Sequence, residues 1–126
     1  MATSGYAEPA ALVLASPEGW AAAWRTLHGG VAAGPPPAVD FARDVVVLVA
    51  AGERNTGGYA VRVDGTSDLS GGRRVVHATR TSPGPGCMTA QVVTSPVAAA
   101  RVPRPAGGPG AVTVSVRDAV APCGRP

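Results

Sequence analysis

The segment 44–59 (DVVVLVAAGERNTGGY) constrains the fold more than any other part of the chain. Its first part, residues 45–51, is an uninterrupted apolar run of strand length, which is typical of a β-strand buried on both faces. Its second part, residues 52–59, is polar and rich in glycine, which indicates a tight turn. The sequence therefore predicts a core built around the first part and a distinctive surface at the second.

An amphipathic helix is predicted over about residues 17–28, before the buried strand. Ser16 can accept a hydrogen bond at the helix N-terminus, Pro17 suits the first helical position, and Gly29-Gly30 supplies the end. One apolar stripe follows the helical spacing i, i+3, i+4 and i+7: Trp20, Ala23, Trp24 and Leu27. We expect both tryptophans to anchor the helix on a sheet.

The other segments are short strands separated by turns rich in glycine and proline, which occur 17 and 13 times. Strands are predicted at residues 10–15, 45–51, 59–64, 74–81, 97–102 and 111–116. Residues 87–93 fit either a strand or a helical turn. Asp64-Gly65 signals a hairpin, with its loop extending to Gly71-Gly72.

This order predicts a single α+β domain over residues 1–126, with its core at about 10–117 and tails at 1–9 and 118–126. We expect a mainly antiparallel β-sheet, as a partly closed barrel or a sandwich, with one amphipathic helix packed on it.

Charge and hydropathy exclude two classes of partner. The net charge is only +3, and the arginines are scattered apart from Arg73-Arg74, whereas a nucleic-acid binder needs a basic stripe or cluster. No apolar run approaches the roughly 20 residues of a membrane span. Residues 1–9 lack the apolar segment of a signal peptide, so the residues alone leave a cytoplasmic location open.

The residues that could carry catalysis form no specific pattern. Cys87, His77 and either Asp64 or Asp68 could form a thiol hydrolase set, although nothing in the sequence fixes their geometry. His28 and His77 have no ligand partner at a metal-binding spacing. Residues 52–58 follow a strand as a phosphate loop would, but they lack its Gly-Lys-Ser/Thr ending and precede a strand. We therefore predict no catalytic residue, no metal and no cofactor.

Two cysteines, Cys87 and Cys123, permit one disulfide, and the sequence leaves the pairing open.

Several motifs in the same order resemble the PrcB family of bacterial protease-complex subunits, over about residues 20–116. The motifs are Trp24, Leu27-His28, Pro35-Pro36-Pro37, Asp40-Phe41, the 45–49 run, Thr56-Gly57-Gly58-Tyr59-Ala60-Val61, Pro83-Gly84-Pro85-Gly86-Cys87, Thr94-Ser95-Pro96 and Val102-Pro103. The resemblance implies a non-catalytic accessory domain that associates with a secreted or surface protease and stabilises it, and hence an extracytoplasmic location.

The resemblance also directs attention to a possible contact surface. Its candidate binding residues are Arg54, Asn55, Thr56, Gly57, Gly58, Tyr59, Pro83, Gly84, Pro85 and Gly86. Equally, these residues can be conformational requirements of the fold. Two alternative functions remain: a protease inhibitor that presents residues 55–59, by analogy with chagasin-type inhibitors, and a Cys87-dependent hydrolase.

Overall fold

The computed structural model describes residues 4–30 and 34–123, which form six strands, one α-helix and two short 3-10 helices. The strands are β1 (Pro9–Leu14), β2 (Asp44–Ala51), β3 (Ala60–Leu69), β4 (Arg73–Pro83), β5 (Val97–Pro103) and β6 (Val112–Ala121), and α1 spans Pro17–Leu27. The 3-10 helices span Ser70–Gly72 and Pro109–Ala111.

The strands pair in two three-stranded sheets, ordered β1-β2-β5 and β3-β4-β6. Three of the pairings are antiparallel, and β4 with β6 is parallel. The predicted single α+β domain with one helix is confirmed. Of the two predicted arrangements, the sandwich is confirmed, but the barrel is wrong because no ladder joins the two sheets within the described residues.

β2 is the centre of the core, as its apolar run predicts. Alternate residues of a strand point to opposite faces of the sheet. Val46, Leu48 and Ala50 therefore pack under α1 with Trp20 and Leu27. The opposite face presents its side chains to the second sheet: Val45, Val47 and Val49 pack with Val76 and Ala78 of β4 and with Val112 of β6. The molecule thus has three layers, with the helix on one sheet and that sheet on the other.

The ends of α1 follow the sequence signals. The Ser16 hydroxyl accepts a hydrogen bond from the Gly19 amide at 3.1 Å, which satisfies a donor of the first turn. At the other end, Gly29 and Gly30 have φ angles of 69° and 81°, where glycine is favoured. The indole N–H of Trp20 donates to the Pro37 carbonyl at 3.0 Å, which attaches the proline-rich connector to the helix.

The predicted hairpin at Asp64-Gly65 is wrong in its position. β3 continues through both residues to Leu69, and its register against β4 shifts between Val63 and Gly65, as in a β-bulge. The chain reverses only at Ser70–Gly72, where Gly71 has a φ of 79°. The Asp64 carboxylate accepts hydrogen bonds from Thr79 and Arg62 across the bulge, and these two bonds hold this residue within the sheet.

Candidate functional site

The predicted turn lies against a longer loop, whose first residues include the predicted Gly84, Pro85 and Gly86. We call them the 54–59 turn and the 84–94 loop. Arg54 and Thr94 exchange backbone hydrogen bonds of 2.7 and 2.9 Å, and the Gly57 amide donates to the Ala90 carbonyl at 2.9 Å. The buried Thr94 hydroxyl donates to the Thr56 carbonyl at 2.8 Å. These bonds join residues far apart in sequence into one surface.

Gly58 has a structural role at this contact. Its φ is 91°, and a Cβ placed on it would lie 2.9 Å from Thr89 Cγ2 and 3.1 Å from Pro83 Cβ. The neighbouring Gly57 has no such φ, and its Cβ would meet Ala90 Cβ at an ordinary 3.6 Å. The two glycines of the turn therefore differ in what they require.

We expect Gly58→Ala to lower the free energy of unfolding by about 2–3 kcal/mol, because the new side chain adopts an unfavourable φ and meets a packed loop. Gly57→Ala is the matched control and should change it by less than about 1 kcal/mol. Urea denaturation of both variants measures the difference. Equal losses would show that the backbone angle and the packing of Gly58 do not matter.

The 84–94 loop carries large apolar side chains in solvent. Met88 is fully exposed, and Val92 and Val93 are about half exposed, at 50% and 53%. Val120 of β6, 61% exposed, lies beside Gly84 at the start of the loop. Several exposed apolar side chains on a loop held by hydrogen bonds favour a surface that another protein covers.

The remaining predicted residues of this region hold the loop at its first end. Pro83 ends β4, and the Gly84 amide donates to the Ala121 carbonyl at 2.9 Å, while Pro85 and Gly86 are exposed. A disulfide joins Cys87 to Cys123, with 5.2 Å between the Cα atoms. The loop is therefore fixed both to the end of β6 and to the 54–59 turn.

A polar cleft of about 390 Å³ lies beside the turn, lined by Ala51, Arg54, Tyr59, Arg80, Thr81, Ser82 and Asp118. The guanidinium carbon of Arg54 lies 5.2 Å from the centre of the Tyr59 ring, and its Nη2 donates to the Ala51 carbonyl at 3.0 Å. Arg80 binds both carboxylate oxygens of Asp118, at 2.9 and 3.3 Å. Asn55 is exposed next to this cleft, and the Thr56 hydroxyl donates to the Gly57 carbonyl at 3.1 Å.

Comparison with protein families assigns this region. Residues 45–103 match the family model described as PrcB C-terminal. This segment matches the PrcB C-terminal family. It contains β2 to β5, the 54–59 turn and the 84–94 loop, so the predicted resemblance is confirmed over a shorter stretch than residues 20–116. Comparison with curated proteins and with solved structures found no match.

The fold does not bring the proposed hydrolase residues together. His77 forms a 2.8 Å hydrogen bond with Ser67 on the exposed face of the second sheet. Pro83 lies six positions after His77 in β4, about 20 Å in an extended strand, and Cys87 lies beyond that end in its disulfide. Asp68 binds Arg74 at 2.6 Å.

Asp64 has partners of its own. The hydrogen bond from Thr79 and the neighbouring Arg62 hold its pKa below the ordinary value, because both stabilise the carboxylate. Thr79 itself is fully buried and accepts a 3.1 Å hydrogen bond from Arg117. Asp64 therefore belongs to a surface hydrogen-bond network of the second sheet.

Residues 4–30 and 34–123 contain no group of three or more His, Cys, Asp or Glu residues that could hold a metal ion. Within the same ranges, α1 has neither the length nor the apolar character that would let a helix cross a bilayer.

Sequence reasoning missed Met88, Val92, Val93, Arg80 and Asp118. The first three lie in the segment that fitted both a strand and a helical turn. The available sign of their exposure was that this apolar segment lies between two turns and has neither the period of a strand nor that of a helix. Arg80 and Asp118 meet only through the parallel pairing of β4 with β6, which no local pattern predicts.

Proposed function

We propose that this domain, whose residues 45–103 match the PrcB C-terminal family, is a non-catalytic protein-interaction module that binds and stabilises a secreted or surface protease. The observation that carries the proposal is the exposed apolar group on the 84–94 loop. Apolar side chains in solvent gain free energy when a partner buries them, at about 25 cal/mol per Å². The contact surface of this proposal consists of the 84–94 loop together with the 54–59 turn.

The hydrogen bonds behind the loop support this assignment. Thr94 is buried and bonded to the turn, and Cys87 is held by the disulfide, so the exposed residues lie between fixed points. A preformed surface loses less conformational entropy when it binds than a free loop does. The 84–94 loop is therefore suited to contact a partner without refolding.

The disulfide supports a location outside the cytoplasm. Disulfides persist in secreted and surface proteins, whereas cytosolic thiols are kept reduced. The Cys87–Cys123 bond agrees with the extracytoplasmic location that the family resemblance implies.

The experiment is a pull-down of the tagged protein after mild crosslinking in the native strain, followed by mass spectrometry. We expect a stoichiometric secreted or surface protease. The variant M88S/V92S/V93S should capture it at least about tenfold less, because the binding free energy lost with the buried apolar area exceeds about 1.4 kcal/mol. The lifetime of the protease should also fall when the gene for this domain is deleted.

Leu69→Ser is the matched control. Leu69 is also an exposed apolar residue, at 46%, but it ends β3 at the far side from the turn, about 30 Å away along the strand. Its variant should capture the protease normally. If the triple variant captures as much protease as the wild type does, the contact lies elsewhere on the domain. A wild-type pull-down without a protease would overturn the proposed role.

The inhibitor hypothesis stays a prediction. A panel of cysteine and serine proteases assayed with the purified domain tests it, and an unchanged rate at micromolar protein would remove it.

A further inference from the structure

The polar cleft beside the 54–59 turn holds a cation whose charge is not neutralised within the described residues. The ion pairs of the described residues join Arg62 to Asp64, Arg74 to Asp68, Arg80 to Asp118 and Arg101 to Asp44, and none of them involves Arg54. Its Nε–H is buried and has no hydrogen-bond partner. The guanidinium of Arg54 is therefore only partly satisfied by the protein.

The surroundings of Arg54 hold it in place. The Tyr59 ring lies 5.2 Å from its guanidinium carbon, and the Ala51 carbonyl accepts one of its N–H groups. Its backbone N–H and C=O groups both form hydrogen bonds with the backbone of Thr94. An arginine fixed in this way has already lost much of its conformational freedom, so binding an anion costs less.

The charges of the cleft indicate one negative charge in the ligand. Arg80 and Asp118 neutralise each other, so Arg54 leaves a balance of one positive charge among the lining residues. A phosphate dianion would leave one negative charge without a counterpart in the cleft, which disfavours it. The hydroxyl-bearing Thr81 and Ser82 also line the cleft, and hydroxyls can donate to a carboxylate.

We propose that this cleft binds a single carboxylate group of the protein partner, with Arg54 as its main contact. This proposal rests on the proposed function, since it names the chemistry by which the partner is recognised. The carboxylate is either an acidic side chain or the carboxyl end of a chain, and both fit an open cleft of about 390 Å³. The 54–59 turn would then contribute to both parts of the interface, through the backbone of Arg54 to the apolar loop and through its side chain to the cleft.

The test is an NMR titration of the ¹⁵N-labelled domain at pH 7 with small probes. N-acetylglutamate α-amide carries a side-chain carboxylate, and N-acetylalanine carries a terminal one. N-acetylglutamine α-amide is the uncharged isostere of the first, and inorganic phosphate tests for a dianion site. We expect saturable shifts of the cleft amides, including Arg54, Tyr59 and Thr81, with one or both carboxylates only. The tighter of the two identifies the source of the group.

Variants fix the assignment to Arg54. R54Q should weaken carboxylate binding about tenfold or more, as expected for a charge-assisted hydrogen bond, and R54K should weaken it less. R73Q is the matched control, because Arg73 is exposed at the opposite end of β4. Within the described residues, its side chain forms a hydrogen bond only with the Ser70 carbonyl. If R54Q fails to fold, the smaller change in R54K against R73Q carries the comparison.

Equal shifts from the glutamine isostere, tighter binding of phosphate, or unchanged affinity in R54Q would each overturn the proposal. The titration contains no partner, so its failure leaves the proposed function to the pull-down. Loss of the protease in the pull-down, with an intact titration, would overturn the proposed function and leave a carboxylate site.

Discussion

Replacing Cys87 and Cys123 together by serine is expected to lower the free energy of unfolding by about 4 kcal/mol. The disulfide spans 36 residues of sequence. Loop-closure entropy for a loop of that length corresponds to about 4 kcal/mol, and measured losses for native disulfides are about 2–5 kcal/mol. For a domain of this size such a loss is a large share of the total stability.

The disulfide also has a local consequence at the proposed interface. It joins the 84–94 loop to the chain just after β6, and the exposed group Met88, Val92 and Val93 lies between that bond and Thr94. We therefore expect the double variant to capture its partner less well at a temperature where it is still folded.

Urea denaturation measures the loss of stability, and hydrogen exchange of the loop amides together with the pull-down measures the local effect. The wild type in reducing agent should behave as the double variant does, and Ser95→Ala provides a control that removes a buried hydroxyl from the same region but leaves the disulfide. A loss below about 1 kcal/mol, together with unchanged exchange in the loop, would show that the bond constrains neither the unfolded chain nor the loop.

Local signals were enough to predict the centre of the fold. The run at residues 45–51 has the length of one strand and no polar residue, so burial on both faces is its only favourable arrangement. α1 begins and ends with residues that satisfy its own backbone, which is why its bounds follow from Ser16 and Gly29.

Features that depend on residues distant in sequence were predicted wrongly or not at all. Asp64-Gly65 has the composition of a hairpin turn, but Thr79 and Arg62 bind the Asp64 carboxylate and the pair becomes a bulge within β3. The parallel pairing of β4 with β6 crosses the loop, β5 and the second 3-10 helix. No local pattern encodes a pairing of that kind, because its energy comes from contacts that exist only after folding.

The site shows the same division. The 54–59 turn was predicted from its glycines, and Gly58 has a φ that glycine favours. Its contact with the 84–94 loop, the exposure of Met88 and the cleft between Arg54 and Arg80 all need the tertiary structure. Sequence reasoning therefore named the 54–59 turn and the first residues of the 84–94 loop, but not the exposed apolar residues further along that loop.

Trp20→Ala is expected to lower the free energy of unfolding by about 3–5 kcal/mol, the range for a buried aromatic side chain. Trp20 is 6% exposed, and its side chain packs from α1 onto the face of β2 that carries Val46 and Leu48. Its loss also removes the hydrogen bond to the Pro37 carbonyl. The substitution therefore leaves a cavity under the helix and releases the connector that leads into β2.

Trp24→Ala tests whether position, and not only ring size, sets the loss. Trp24 contacts Trp20 and His28 with ring centres 5.6 and 4.5 Å apart, but it is only half-buried and its indole N–H has no partner within the described residues. We expect it to cost about 1–2 kcal/mol in urea denaturation, in proportion to its smaller buried area. Equal losses for the two variants would mean that the helix is held by its whole apolar stripe, and that the bond between Trp20 and the connector adds nothing to the packing of α1 on the sheet.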